Sequence, residues 1–249
     1  METVHAAAIS RHPSVRTSVE HETLANTDNV YSVATMNCDW ISRFYRRLEY
    51  LSFGGALQAC RVMYVPEVAG CQRAIVCGDG DGRFLAELLR ANRWICADFV
   101  DLSAGMATLA QRGVEAIGLE AVVRANFHVA DVREFNPTDG AAYDLITAHF
   151  FLDCFDDAEA TRVTRRLASF ARPGATLLLS DFRIPPSGIA HYAAAAIIRG
   201  LYFAFRVATG LRVTRLPNYE DALEHAGFRK QRETLKLGGL LVASLWRRI

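Results

Sequence analysis

The chain has 249 residues, of which 51% are hydrophobic and 22% are charged, and its formal net charge is +1. This composition is typical of a globular protein with one large domain, or with one domain and an appendage. Because the charge is near neutral and no run of lysines or arginines occurs, the chain lacks the basic surface of a nucleic-acid-binding protein, and no nucleic-acid partner is expected.

The N-terminal segment and the cysteines predict a cytoplasmic protein without a bound metal. Residues 1–27 are polar and show no periodicity, so we expect a disordered arm, and they lack the basic start and apolar core of a signal peptide. His5, His12 and His21 are irregularly spaced, which favours a solvated tail over a metal site. The six cysteines form no Cys-x-x-Cys pair and no ligand spacing with histidine, as expected in a reducing compartment.

Helical periodicity begins near Cys38 and gives way to alternating strands and helices. Apolar residues recur from Trp40 to Phe53 and stop at Gly54-Gly55, which predicts two short helices in an N-terminal helical cap over residues 28–70. Strands are then predicted in RAIVC, WICADFVDL, ANFHVAD, YDLITAHFF and GATLLLSDF. Helices are predicted in RFLAELLRAN, in SAGMATLAQRG with Ser103 as N-cap, and in DAEATRVTRRLASFA, ended by Pro173-Gly174.

This alternation predicts an α/β fold, a doubly wound and mostly parallel sheet whose strands are joined by crossover helices. A long helical segment at about residues 188–209 interrupts the pattern and is followed by a helix in NYEDALEHAGF. The tail RKQRETLKLGGLLVASLWRRI reads as two strands with a break at Gly238-Gly239, which predicts a C-terminal antiparallel hairpin.

The stretch CGDGDGRF places Gly78, Gly80 and Gly82 between the first predicted strand and the next helix. In a doubly wound fold, ligands bind where the strands end, and glycines let the backbone approach a ligand beside the free N–H groups of the helix. The alternative is a tight turn that needs glycine for its own conformation. Arg83 stands where a dinucleotide fingerprint GxGxxG has its third glycine, which disfavours a dinucleotide-dependent reductase.

The GxGxG spacing, together with FVDLS at the end of the second strand, resembles the class I S-adenosylmethionine (SAM)-dependent methyltransferases. The segments NFHVADVREF, HFFLDCFDDAEATRVTRRLASFARPG and LEHAGFRKQRETLKLGGLLVASLWRR are similar to later motifs of that family, so the resemblance runs from about residue 40 onward. Short stretches, YLSFGGALQACR and GGLLVASL, resemble the ubiquinone and menaquinone C-methyltransferases. The resemblance implies a Rossmann-like methyltransferase domain over residues 71–249, with SAM as its cofactor.

The resemblance also implies which residues bind the cofactor. The methionine part would lie over the glycine turn, an acid at the end of strand two would hold the ribose hydroxyls, and an acid after strand three would meet the adenine amino group. The implied cofactor-binding residues are Gly78, Asp79, Gly80, Gly82, Asp101, Leu102, Asp131, Val132 and His149. For Asp101 the alternative is a carboxylate that accepts hydrogen bonds from the turn.

The chain departs from the family at Val76, where an acid usually lies two residues before the first glycine. Asp79 and Asp81, inside the turn, can supply the missing negative charge near the methionine amine. Alternatively they only cap the next helix, whose N-terminus favours negative charge.

Two candidate catalytic residues, His149 and Asp153, lie at the end of strand four, which faces the reacting centre in this architecture. A base near neutral pH assists methylation of a phenol or enol, and histidine is suited to that role. The alternative for His149 is a core histidine bonded to the backbone, and for Asp153 an N-cap or turn residue of the next helix. The Asn-Pro-Pro-aromatic motif of amino-methylating relatives is absent, which favours methylation of oxygen or carbon.

The segment GIAHYAAAAIIRGLYFAFRVATGLRV predicts an amphipathic helix, within an inserted helical lid at residues 185–216. Arg199 and Arg206 share one face, which argues against a transmembrane span. As a lid, the helix would enclose an apolar, ring-bearing acceptor with His191, Tyr192, Tyr202 and Phe205. The alternatives are a core helix, a homodimer face or contact with a membrane surface.

The predicted function is SAM-dependent methyl transfer to oxygen or carbon of a small apolar acceptor such as a phenol, a quinol or a polyketide-like ring. A non-methylating enzyme of the same fold, catalysing cyclisation or rearrangement, is the first alternative, and Val76 keeps it open. A dinucleotide-dependent reductase and a membrane-surface interaction protein are the others. Regiochemistry and oligomeric state do not follow from these residues.

Overall fold

The structure is a computed structural model, and it describes residues 53–137, 140, 142–209 and 213–249. The predicted arm and the first predicted helix of the cap lie outside the described residues. The described helices are α1 (Ala56–Arg61), α2 (Arg83–Ala91), α3 (Ala104–Glu115), α4 (Leu119–Val122), α5 (Asp157–Phe170), α6 (Ile189–Thr209) and α7 (Tyr219–His225). The strands are β1 (Arg73–Cys77), β2 (Cys96–Asp101), β3 (Ala125–Val129), β4 (Tyr143–His149), β5 (Ala171–Phe182), β6 (Phe228–Lys236) and β7 (Leu241–Arg248).

Seven strands form one sheet in the order β3-β2-β1-β4-β5-β7-β6. The first five strands in the chain run parallel to one another, and β7 runs antiparallel to both β5 and β6. All seven residues of β4 are buried, because a central parallel strand is covered on both faces. The arrangement confirms the predicted α/β class and the C-terminal antiparallel hairpin.

Alternate residues of the strands pack into two apolar cores, one on each face of the sheet. The first core contains residues of β1, β4 and β5 with α1, α2, α3 and α6: Leu57, Val76, Phe84, Leu88, Ala110, Leu145, Leu178 and Ile198. The second contains the other face of the same strands with α5 and α7: Ile75, Ile146, Val163, Leu167, Leu177, Leu223 and Trp246. The sheet therefore has no solvent-exposed face at its centre, and its carboxyl ends are left as the place for a ligand.

The helix boundaries follow the predictions closely in two places. Ser103 caps α3, since its Oγ accepts a hydrogen bond from the Met106 N–H at 3.2 Å. The long helix predicted at residues 188–209 is α6, Ile189–Thr209. Within the part of the chain that the structure describes, no helix combines the length and the apolar character needed to cross a membrane.

The structure differs from the prediction at the junction between α5 and β5. The strand begins at Ala171, directly after the helix ends at Phe170, so Pro173 and Gly174 lie inside the strand and not before it. The register against β4 is interrupted there, which leaves Pro173 without a ladder bond to make, and Gly174 has φ +77°. The four-residue helix α4 was also not predicted, because so short a segment carries no periodic signal.

Candidate active site

The glycine turn connects the end of β1 to the start of α2, at the edge where β2, β4 and β5 also end. Gly78, Gly80 and Gly82 have φ values of +63°, +62° and +74°, in the left-handed region that other residues rarely adopt. The Gly78 N–H donates to the Val100 carbonyl of β2 at 3.0 Å. The turn is thus held to the neighbouring strand.

Two of these glycines allow close contacts within the chain itself. A Cβ on Gly78 would lie 2.3 Å from Cδ2 of Phe151, and a Cβ on Gly82 would lie 2.4 Å from Cβ of Ala110. Gly82 therefore lets α2 begin directly against α3, and Gly78 leaves room for the Phe151 ring. Glycine at these two positions is required by the turn and its packing, and the ligand contact expected there stays a prediction.

The two aspartates of the turn have different partners. Asp81 pairs with Arg83, with 2.9 Å between Oδ1 and Nε. Asp79 is only 4% exposed, and its Oδ2 accepts a hydrogen bond from the Leu85 N–H at 3.0 Å, so it caps the first turn of α2. Its Oδ1 is buried and has no hydrogen-bond partner in the described part of the chain. Burial raises the pKa of Asp79 to about 7, although the nearby charge of Arg61 acts to lower it.

Asp101 ends β2 and holds the glycine turn in place. Its Oδ1 accepts from the Ser103 N–H at 2.9 Å and its Oδ2 from the Gly80 N–H at 3.3 Å. Burial raises the pKa of Asp101 to about 6, against the effect of these two hydrogen bonds. Asp101 therefore does accept hydrogen bonds from the turn, as the alternative interpretation expected. Each of its oxygens still has a second lone pair that can accept from a hydroxyl group. The adjacent Leu102 side chain is 49% exposed at the same edge.

Asp131 and Val132 follow β3, as expected for an adenine site. The Asp131 carboxylate is already engaged by Arg133, whose Nε lies 2.9 Å and 3.0 Å from its two oxygens. Although partial burial alone would raise the pKa of Asp131, the pairing with Arg133 lowers it. Val132 is buried in the second core. An adenine amino group would have to share the carboxylate with Arg133, so the predicted role of Asp131 stays a prediction.

His149 is buried at the end of β4 between two neighbours. Its Nδ1 shares a hydrogen bond of 3.1 Å with the Ser180 hydroxyl of β5, and its ring lies 4.4 Å from the Phe84 ring, centroid to centroid. Its Nε2 is buried and has no hydrogen-bond partner among the residues described. Burial, and to a lesser extent the charge of Arg61, lowers the pKa of His149 to about 3. The imidazole is therefore neutral at physiological pH, and it is bonded to a side chain and not to the backbone.

Asp153 lies just beyond β4, in a short 3-10 turn (Leu152–Cys154). The N-cap of α5 is Asp156, whose carboxylate accepts from the Glu159 N–H at 2.8 Å. Asp153 is therefore not the cap, but it does lie in the turn before the helix, as the second part of that alternative expected. The Asp153 carboxyl is close to a second one, Asp181 at the end of β5. Burial raises the pKa of both groups, and the charge of Asp153 raises that of Asp181 further.

Asp181 and Arg61 are two buried charged residues that the sequence analysis missed. Asp181 is fully buried; its Oδ1 accepts from the Phe182 N–H at 2.8 Å, and its Oδ2 has no hydrogen-bond partner within the described ranges. Arg61, on α1, is 3% exposed, and its guanidinium carbon lies 5.0 Å from the centroid of the Phe150 ring. Arg61 ends the stretch YLSFGGALQACR, but nothing in that stretch marks it as buried, and only the tertiary structure buries both residues at this edge.

Helix α6 brings one predicted acceptor residue to this edge. The Tyr202 hydroxyl donates to the Asp153 carbonyl at 2.9 Å, and the side chain is buried. His191 is half-buried and its Nδ1 lies 2.8 Å from the Pro185 carbonyl oxygen. Tyr192 is 76% exposed and Phe205 is 36% exposed. Tyr202 is thus hydrogen-bonded to the turn that follows β4.

The fold agrees with what comparison of the chain with known proteins shows. Residues 75–174 match the family model described as a methyltransferase domain, a range that runs from β1 through the glycine turn to the start of β5. The matched range is less than half of the chain. The resemblance to the class I SAM-dependent methyltransferases noted in the sequence is thereby confirmed.

Solved structures similar to this methyltransferase domain include two small-molecule O-methyltransferases. Mitomycin 7-O-methyltransferase superposes with a TM-score of 0.65 at 19% identity, over 88% of this chain and 62% of that chain. An O-methyltransferase from neocarzinostatin biosynthesis, solved with SAM and 2-hydroxy-5-methyl naphthoic acid, superposes with a TM-score of 0.60 at 18% identity, over 87% of this chain and 59% of that chain. At these identities the likeness establishes the fold.

A curated relative matches a shorter part of the chain. Polyamine aminopropyltransferase 2 of Bacillus anthracis is 32% identical over 83 residues, which are 32% of this chain and 23% of that protein. The chain thus spans less than two thirds of the length of each of these relatives.

Proposed function

We propose that this chain transfers a methyl group from SAM to oxygen or carbon of a small apolar, ring-bearing acceptor. The observation that carries the proposal is the left-handed glycine turn, with buried Asp79 and Asp101 beside it, inside a segment that matches a methyltransferase domain. SAM, when bound, supplies a methyl group that is already electrophilic because it is attached to a sulfonium.

The residues at the carboxyl edge fit this cofactor. Asp79 has a buried oxygen without a partner, which suits a cationic donor, and Asp101 has lone pairs left for ribose hydroxyls. Leu102 offers an exposed apolar surface for the adenosine, and Asp131 with Val132 would lie at the adenine. The N-terminus of α2, which begins at Arg83 directly after the glycine turn, would favour a polar or negatively charged group of the ligand.

Asp153 is the better candidate for taking the proton of a phenol or enol acceptor. It is half-buried and its pKa is raised, whereas His149 is deeply buried with a pKa of about 3. A base whose pKa lies near the working pH is the more effective one. Asp181 would act through Asp153, since a second carboxyl nearby makes the protonated form of the pair easier to reach. His149 would then orient or contact ligand atoms as a neutral group.

The acceptor would bind between the ends of β4 and β5 and helix α6. Tyr202 already joins α6 to Asp153, which supports a role for this helix as a lid over the acceptor. His191, Tyr192 and Phe205 would contact the acceptor only after α6 rotates or closes. The neocarzinostatin-pathway enzyme binds a hydroxylated naphthoic acid, and a fused aromatic ring would suit the apolar surface of α6 here.

Aminopropyl transfer is a second candidate function, favoured by the 83-residue match to the polyamine aminopropyltransferase. Both reactions use a sulfonium bearing an adenosyl group, so the glycine turn and Asp101 suit either one. The donors differ at the amino-acid end, because an aminopropyl group carries an ammonium but no carboxylate.

Binding of S-adenosylhomocysteine (SAH) to the full chain tests the proposed function. Titration calorimetry is expected to detect SAH binding and no binding of NAD or NADP. Replacing Asp101 by Ala removes two charge-assisted contacts to the ribose and is expected to weaken SAH binding about 10- to 100-fold. Asp157→Ala, at the surface ion pair with Arg215, is the control and should leave the affinity unchanged. Tight NADH binding without SAH binding would contradict the proposal.

A further inference from the structure

Helix α6 is apolar on the side that faces solvent as well as on the side that packs against the domain. The residues that it buries in the first core recur along one side: Ala194, Ile198 and Tyr202. At about 3.6 residues per turn, the opposite side carries Ile189, Phe203 and Val207, with Tyr192 next to them. These four residues form the outward face of α6, on which Ile189 is 90% exposed and Phe203 is 70% exposed. An exposed apolar face of this kind marks a binding surface.

The segment that contains α6 is strongly basic. Between Asp181 and Glu220 the chain has no acidic residue, although 27 of its 249 residues are acidic. The segment has five arginines: Arg183, Arg199, Arg206, Arg212 and Arg215. Because the formal net charge of the whole chain is only +1, this concentration of positive charge indicates a negatively charged partner for the segment.

Two of the arginines border the outward face. Arg199 and Arg206 are exposed and seven residues apart, so they lie on the same side of α6, between its buried side and the outward face. Neither side chain has an ion-pair or hydrogen-bond partner within the described part of the chain, whereas Arg215 pairs with Asp157. The guanidinium groups of Arg199 and Arg206 can therefore bind an anion without breaking an existing contact.

This arrangement is typical of a helix that lies in the plane of a lipid surface. In such helices the apolar side chains enter the boundary between headgroups and acyl chains, and long basic side chains beside them reach the phosphates. Tyrosine, present here at Tyr192, is common at that depth because its ring is apolar and its hydroxyl is polar. Anionic lipids attract arginines to the same surface.

Two other occupants of the outward face fit the charge less well. A second copy of the chain, related by a two-fold axis, would bring the same arginines towards one another. Residues 38–52, which lie outside the described residues, contain Arg43, Arg46 and Arg47 but only two acidic residues, so this stretch is itself basic. An anionic lipid surface offers both an apolar layer and negative charge.

We propose that the outward face of α6, together with Arg199 and Arg206, binds the surface of a membrane that contains anionic lipids. The inference goes beyond the proposed function and does not depend on it. Because Tyr202, on the other side of the helix, donates to the Asp153 carbonyl, docking would place the candidate acceptor site beside the lipid. An apolar acceptor dissolved in the bilayer would then meet the protein at this edge.

Sedimentation of the full chain with lipid vesicles tests the proposal. Vesicles of phosphatidylcholine with about 30% phosphatidylglycerol should bind the chain more tightly than vesicles of phosphatidylcholine alone. This binding should weaken between about 0.15 M and about 1 M salt, because salt screens the surface charge. The double change Arg199→Gln and Arg206→Gln should weaken it about 10- to 30-fold, since each basic side chain near such a surface contributes about 5-fold. Phe203→Ser should weaken it about 10-fold through lost apolar contact.

Leu119→Ser and Arg162→Gln are the matched controls. Leu119 is an exposed apolar residue of α4, and Arg162 is an exposed arginine of α5. Both variants should bind vesicles as the wild type does. Thermal unfolding shows whether each variant is folded, and SAH binding without lipid, which should be unchanged in all of them, tests the proposed function separately.

Failure of the wild-type chain to bind the anionic vesicles would overturn the proposal and leave the proposed function standing. Binding that the double arginine variant and Phe203→Ser leave unchanged would also overturn it, because the lipid contact would then lie outside α6. If Phe203→Ser breaks up an oligomer of a chain that does not bind vesicles, the outward face is an interface between copies and the proposal is wrong.

Discussion

The raised pKa of Asp79 affects the stability of the folded protein as well as ligand binding. Its pKa is raised from 3.8 to about 7, chiefly by burial. Because the folded state holds the proton more tightly than the unfolded state, the stabilising effect is fully present below about pH 4 and is lost as the pH rises through about 7. A rise of this size corresponds to at most about 4 kcal/mol of unfolding free energy.

Asp79→Asn should therefore change the pH dependence of stability. The unfolding free energy would be measured by urea denaturation without ligand. We expect the difference between variant and wild type to shift in favour of the variant as the pH rises from about 4 to about 8. Asp98→Asn is a control of opposite sign. Although burial alone would raise the pKa of Asp98, hydrogen bonds from His128, Tyr143 and Asn126 lower it, so its stabilising effect is lost as the pH falls. Parallel pH profiles for wild type and Asp79→Asn would contradict this account.

Gly82 is the second residue whose replacement has a clear expected effect. A Cβ there would lie 2.4 Å from Cβ and 2.6 Å from Cα of Ala110, and φ is +74°. Left-handed strain and overpacking together should make Gly82→Ala about 2 to 4 kcal/mol less stable, as measured by urea denaturation. Gly113 lies in α3, the helix that also contains Ala110, and a Cβ added there would have nothing within 4 Å. Gly113→Ala should therefore leave the unfolding free energy unchanged or raise it by up to about 1 kcal/mol. Equal effects of the two changes would contradict the packing described for α2 and α3.

At the scale of elements, α6 is the helix whose role decides how the acceptor is enclosed. Ala194, Ile198 and Tyr202 are buried, whereas Ile189, Tyr192, Phe203 and Val207 are exposed. An apolar helix face exposed in this way covers something when the protein works. As a lid, α6 would close on the acceptor and exclude water from the reacting atoms.

Hydrogen exchange tests the role of α6. It would be measured with SAH alone, with a hydroxylated naphthoic acid alone, and with the two ligands together. We expect residues 189–207 to gain protection only when both ligands are present, while β4 stays protected throughout. Tyr202→Phe removes the hydrogen bond to the Asp153 carbonyl and should increase exchange in α6 of the free chain, whereas Tyr192→Phe should not. Full protection of α6 without ligands, lost together with an oligomer, would make it an interface.

The elements that the sequence predicted well are those whose burial pattern is local. The apolar runs of β1, β2, β4 and β5 and the Ser103 cap each occupy one short stretch, so periodicity and cap chemistry identify them. The α5–β5 junction was misplaced because Pro173-Gly174 is usually a terminator, and here a register shift accommodates it within the strand. Asp153 was expected as a possible cap of α5 because the 3-10 turn that contains it, and that leaves the cap position to Asp156, is too short to carry a local signal.

At the scale of the whole molecule, the site depends on contacts between segments far apart in the chain. Arg61 precedes the sheet and Asp181 ends β5, yet both are buried at the carboxyl edge within reach of Asp79 and Asp153 respectively. No local pattern marks either residue, because a charged side chain in a helix or after a strand is usually solvated. The glycine turn and Asp101 were predictable since they lie in one motif, whereas the buried charges around them required the three-dimensional fold.

The insertion of β7 between β5 and β6 has a consequence for how the protein folds as it is synthesised. The hydrogen-bonding edge of β5, from Thr176 to Phe182, pairs with Leu241–Arg247, which leave the ribosome long after β5 does. At roughly 5 to 20 residues per second, that edge stays open for roughly 3 to 13 seconds. An open, apolar strand edge is a template for pairing with other chains, so the nascent protein passes through a period of aggregation risk that ends only when β7 docks. Chaperone binding to the LLLS stretch would fall within this period.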